Sequence, residues 1–184
     1  MVAGGGAGSA VPRPRPAGAY REPASGNIAL QNGCIDLAMS TLVLYATQGG
    51  TTRKVAQRVA SQLGAATLVD VGEGGPADFP KPDRVLLFCP TYGDAEFEDS
   101  FERFLYSFDW AQFAAVEFAF CELGIYTGYE EFGHGLVGPL YARLSGHGLR
   151  PILPPLSLDT VPVTDWKAVD EWAEAIVARS AVGP

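Results

Sequence analysis

Between residues 41 and 180 the chain alternates short, nearly continuous apolar runs with longer segments whose apolar positions return every three or four residues. The first alternation predicts extended strands buried on both faces, the second amphipathic helices. "TLVLYA" (41–46) is the first strand, and "TTRKVAQRVASQLG" follows as a helix with Val55, Val59 and Leu63 on one stripe, ending at Gly64. "ATLVDV" (66–71) and "RVLLFC" (84–89) are the next strands, the latter apolar enough for the centre of a sheet. "DSFERFLYSF" (99–108) places Phe101, Phe104, Leu105 and Phe108 together, a spacing that means core. "AVEFAFCE" (115–122) is a fourth strand, and "HGLVGPLYARLSGHG" (134–148) a helix with Pro139 near its start. "LRPILPPLSL" (149–158) reads as an edge strand interrupted by prolines. Thr164 then caps "DWKAVDEWAEAIVARS", with Trp166, Val169, Ala173 and Ile176 turned inward.

Strands separated by helices predict an α/β fold: a single doubly wound parallel sheet of five strands in the order 2-1-3-4-5, covered by helices on both faces as a three-layer sandwich. Ligands of such sheets bind beyond the carboxyl ends of the strands, where the strand order reverses. Here that selects three loops, residues 47–52, 90–98 and 122–132.

The first loop carries the clearest chemistry. Gly49 and Gly50 let the backbone turn sharply, and the helix beginning near Thr51 directs its positive end at the same spot. The hydroxyls of Thr47, Thr51 and Thr52 complete a set of neutral donors suited to a phosphate. A plain glycine-containing turn is the alternative when this loop is read alone. Neither the Gly-Lys-Ser/Thr loop of triphosphate sites nor G-x-G-x-x-G is present.

"VLYATQGGTTRKVAQRV" resembles the signature of the flavodoxin family: Val43, Leu44, Tyr45, Thr47, Gly50, Thr52, Ala56 and Val59 satisfy its fixed positions. Gly49 stands where many members carry a third hydroxyl. The resemblance covers roughly residues 40–180 and is to the short-chain type, the last strand lacking an inserted loop. It implies FMN as cofactor, its phosphate held by Thr47, Gln48, Gly49, Gly50, Thr51 and Thr52. In "CPTYGDAEFEDSFERF" it implies contacts from Pro90, Thr91, Tyr92, Gly93 and Asp94, with Tyr92 against the isoalloxazine and the Gly93 carbonyl turning toward flavin N5. In "CELGIYTGYEEFGHGL" it implies Leu123, Gly124, Tyr129 and Phe132, with Tyr129 as the outer stacking ring and Tyr126 as the competing candidate. Many members have Gly-Asp where this chain has Gly124-Ile125.

A flavin so held implies an electron-transfer protein shuttling single electrons between a reductase and an acceptor. Asp94, Glu96, Glu98, Asp99, Glu122, Glu130 and Glu131 are expected to ring the flavin, lowering the potential of its anionic reduced form and presenting an acidic face to a basic reductase of the NAD(P)H-flavin type and to a redox acceptor protein. No nucleophile, base pair or metal constellation points to substrate turnover by the chain alone. Two readings stay open: an FMN-dependent quinone-type oxidoreductase, and a flavin-free interaction domain. A phosphoacceptor receiver is excluded, because "YATQ" and "FCPT" lack its acids.

Charge agrees. The net charge is -8, yet residues 1–39 carry three arginines against Glu22 and Asp36, so the acidity belongs to the remainder. That argues against a nucleic-acid binder, which needs a basic face. Residues 1–39, rich in Gly, Ala and Pro, are expected to form a disordered extension preceding a domain over 40–182, with Met39 as an alternative start. Glu22, Asp36 and the spaced prolines weaken an import helix. Cys34, Cys89 and Cys121 lack metal or redox spacing; Cys89 and Cys121 sit in apolar runs and suit a reducing, cytoplasmic setting. His134 and His147 have no partner at ligand spacing. No apolar stretch reaches the ~18 residues of a membrane span, and a soluble monomer is expected.

Overall fold

The computed structural model describes residues 39–73, 79–92, 96–126 and 137–180; the extension expected over 1–39 lies outside them except for Met39, as do Cys34 and His134. Strands and helices alternate in the expected succession: β1 (Thr41–Tyr45), α1 (Thr51–Leu63), β2 (Ala66–Asp70), β3 (Arg84–Tyr92), β4 (Glu96–Phe97), α2 (Asp99–Ser107), β5 (Glu117–Gly124), α3 (Val137–Gly146), β6 (Arg150–Pro151), β7 (Leu156–Asp159) and α4 (Trp166–Ser180). The backbone of the sheet is β2-β1-β3-β5, with β6 and β7 both pairing in parallel beside β5. This is the expected order, the fourth and fifth positions being filled by β5 and by the pair β6 and β7.

The sheet nevertheless has seven strands rather than five. The expected edge strand is split because Pro154 and Pro155, between its halves, have no N–H to offer a ladder. The additional strand is β4, where the chain folds back antiparallel on the end of β3 and sets Thr91 opposite Phe97 and Tyr92 opposite Glu96.

Alternation along the strands builds two cores. Leu42, Leu44, Leu87 and Phe120 point to one face, where they meet Phe101 and Leu105 of α2 and Leu140 and Leu144 of α3. Val43, Phe88, Ala119 and Cys121 point to the other, against Val55 and Val59 of α1 and Val169, Ala173 and Ile176 of α4. The first core is aromatic, with Phe104 stacked on Phe108 at 5.1 Å and Phe108 edge-on to Trp110 at 4.8 Å. In the second, Phe88 meets Trp172 edge-on at 5.8 Å. Among the described residues no helix is long and apolar enough to cross a membrane.

The start of α4 corrects one expectation. Asp165, not Thr164, supplies the cap: its Oδ1 accepts the Ala168 N–H at 3.1 Å, while Thr164 contributes its carbonyl to the Trp166 N–H. Asp165→Ala is expected to cost about 1 kcal/mol, read as a fall of about 2–4 °C in melting temperature. Thr164→Ala should leave it almost unchanged.

Candidate functional site

The loop after β1 is shaped by one side chain and one left-handed residue. Thr47 Oγ1 accepts the Gly50 N–H at 2.9 Å, and Gly50 takes φ 83°, a conformation that strains any residue with a Cβ. The Gly50 carbonyl then accepts the Lys54 N–H at 3.2 Å and starts α1. No side chain caps this helix, and no acid lies in its first turn. The N–H groups of Thr51, Thr52 and Arg53 have no carbonyl four residues back within the helix, so the positive end of a 13-residue helix is available to an anion. Space is open around Gly49 and Gly50, Thr51 is exposed, and Thr52 is buried.

The first cation of α1 is already engaged. Arg53 binds the Tyr45 hydroxyl at 3.2 Å, Asp70 at 3.0 Å and Glu73 at 3.1 Å, tying α1 to the ends of β1 and β2. Asp70 and Tyr45 hold its guanidinium still more firmly protonated than usual. Recognition of a phosphate here therefore rests on neutral hydroxyls, backbone N–H groups and the helix end.

At the carboxyl end of β3, Pro90 and Thr91 are half-buried and Tyr92 is exposed, its phenol pushed up mainly by what burial it has. The Pro90 carbonyl accepts the Glu98 N–H at 3.2 Å, which closes the hairpin over β4. At the carboxyl end of β5, Leu123 is buried and Gly124 half-buried, and Ile125 just past it is exposed. Thr160 clamps this exit, giving the Gly124 carbonyl both its N–H at 2.9 Å and its hydroxyl at 3.2 Å. Because β1, β3 and β5 are parallel neighbours, the three exits share the carboxyl end of the sheet. The structure thus gathers Thr47 to Thr52, Pro90 to Tyr92, Leu123 and Gly124 there; Gly93, Asp94, Tyr129 and Phe132 lie outside the described residues.

The acidic ring needs correction. Glu98 and Glu122 are both inside the fold rather than around its mouth. Glu98 caps α2, accepting the N–H groups of Ser100 and Phe101 at 2.9 Å each together with the Ser100 hydroxyl. Glu122 accepts the Ser157 hydroxyl at 2.5 Å across β5 and β7. Glu96 and Asp99 are exposed as expected, while Asp94, Glu130 and Glu131 are outside the described residues. Cys89 and Cys121 are buried free thiols whose pKa values burial drives well up, which makes them inert. No group of residues suited to a metal ion occurs among the described residues.

Sequence reasoning missed the clamp around Tyr126. Its hydroxyl lies 2.6 Å from Thr91 Oγ1 and its N–H donates to Asp159 Oδ1 at 2.5 Å. Only the register could have signalled it, since Gly124 pairs with Asp159 across β5 and β7.

With this geometry in place, comparison with known proteins is informative. The family model for flavodoxin matches residues 43–172. The flavodoxin of Synechocystis is 26% identical over 109 residues, an alignment covering 58% of this chain and 64% of that protein; the chain thus spans less than two thirds of that relative's length. A short-chain flavodoxin associated with a PDU bacterial microcompartment superimposes with a TM-score of 0.63 at 21% identity, over 77% of this chain and 99% of that one. The Fusobacterium nucleatum flavodoxin bound to flavin mononucleotide superimposes with a TM-score of 0.58 at 15% identity, over 77% and 98%. At such identities the structural matches speak for the fold.

Proposed function

Because the chain belongs to the flavodoxin family, we propose that it binds FMN at the three strand exits and serves as a single-electron carrier between a reductase and an acceptor protein. The observation that carries this reading is the uncapped start of α1, with open space at Gly49 and Gly50 and threonine hydroxyls beside it. A phosphate monoester fits such a cradle, whereas a nucleoside triphosphate would call for the lysine that this loop lacks.

When bound, the flavin supplies one-electron redox chemistry; the residues of the chain do the rest. Thr47 holds the turn, and Thr51 and Thr52 with the first N–H groups of α1 orient the phosphate. Tyr92, exposed at the end of β3, offers its ring to one side of the isoalloxazine, and Leu123 and Gly124 form the floor. Tyr129 and Phe132, with Gly93 and Asp94, complete the ring contacts in this reading. Glu96 and Asp99 add negative charge near the mouth, complementary to a basic reductase of the NAD(P)H-flavin type. The buried free thiols suit a reducing, cytoplasmic setting.

The test is the visible absorption spectrum of the purified chain, with and without added FMN, followed through photoreduction. Oxidised-flavin bands that bleach in two resolved one-electron stages are the expected result. A colourless protein that leaves added FMN unbound would overturn the proposal in favour of a flavin-free interaction domain.

A further inference from the structure

The ends of β3, β5 and β7 are joined by a small polar network that no phosphate contact requires. Tyr126 is its hub. The phenol reaches across to Thr91 Oγ1 at 2.6 Å, the backbone N–H of the same residue is held by Asp159 at 2.5 Å, and Thr91 Oγ1 also lies 3.5 Å from the Leu123 carbonyl. Gly124 makes the crossing possible. A Cβ built there would stand 2.9 Å from Thr91 Oγ1, 3.0 Å from the Tyr126 hydroxyl and 3.1 Å from its ring.

Burial pushes the Tyr126 phenol up, so it stays neutral throughout the physiological range. A ring pinned at its hydroxyl and at its own backbone is committed to the sheet edge and is not free to swing out as a stacking lid. Its effect falls instead on the distance between the exits of β3 and β5, the one bearing Tyr92 and the other Gly124.

We propose that Tyr126 is a positioning residue of the cofactor cleft: bonded to Thr91 and Asp159, it sets the spacing of the β3 and β5 exits that receive the isoalloxazine. The inference rests on the FMN reading. It assigns Tyr126 a role distinct from ring stacking and brings Asp159 into the site.

The experiment measures affinities of the apoprotein for FMN and for riboflavin, which lacks the phosphate, in Tyr126→Phe, Thr91→Val and the double variant. Tyr126→Phe is expected to weaken both ligands by about tenfold, the scale of one partly buried hydrogen bond. The ratio of the two affinities should stay within about twofold, because the loss falls at the ring end. Since Tyr126 and Thr91 share one bond, the double variant should bind within about twofold of the weaker single variant rather than showing the product of two losses.

Unchanged affinities in Tyr126→Phe, even in a variant that melts earlier, would overturn the positioning role, as would multiplicative losses or a loss confined to FMN. If Tyr126→Phe does not fold, Thr91→Val decides by the same criteria. A parent chain that binds neither ligand would instead sink the FMN reading, a distinguishable result.

Discussion

Thr51→Asp is expected to stabilise the apoprotein while it removes tight FMN binding. Thr51 is exposed at the first position of α1, a helix with no acid in its first turn and no side-chain cap. A carboxylate at such a helix end contributes about 0.3–1 kcal/mol through the macrodipole, a rise of about 1–4 °C in melting temperature. The same carboxylate would stand where the phosphate is to be received. Two like charges about 5 Å apart repel by about 3 kcal/mol at an effective dielectric near 20, which is more than about a hundredfold in affinity. Riboflavin should be affected little, having no phosphate to repel. Thermal melting of the apoprotein and fluorescence titration with both ligands check the prediction. A variant that melts higher but keeps its FMN affinity would move the phosphate away from α1.

What the sequence made legible was whatever depends on local pattern. β1 and the first six residues of β3 are buried on both faces, and continuous apolar runs are how such strands look in a sequence. The turn at Gly50 was legible because one residue type dominates positive φ. Pairings between distant segments were not. Nothing near Glu98 or Glu122 distinguishes a buried acid from a surface one, because their satisfaction comes from helix N–H groups whose course must be known and from Ser157, 35 residues away. Thr91 and Tyr126 are likewise 35 residues apart and meet only because β3 and β5 run side by side. The cap of α4 failed for a smaller reason: Thr164 and Asp165 are adjacent, both residue types cap helices, and only the geometry chooses. β4 left no trace at all, since two residues are too few for a period.

Glu117→Ala is expected to be the most destabilising substitution considered, and it should leave the cofactor site untouched. Arg84 is 1% exposed at the start of β3, and its Nη2 meets Glu117 Oε2 at 2.9 Å, the two residues being register partners across β3 and β5. The same guanidinium lies 3.4 Å from the Ile176 carbonyl in α4 and 3.7 Å from Met39 Sδ. Removing the carboxylate takes from the buried guanidinium its partner on β5. That loss is about 3 kcal/mol, or about 6–12 °C in melting temperature. Arg84→Met combined with Glu117→Leu removes the pair instead of breaking it, and should recover most of the lost stability because buried ion pairs gain little over apolar packing. Both residues sit at the amino ends of their strands, whereas the candidate site lies at the carboxyl ends. Below the melting range FMN affinity should therefore match that of the parent. Were it to fall with stability, the two ends of the sheet would be coupled in a way that rigid parallel strands do not provide.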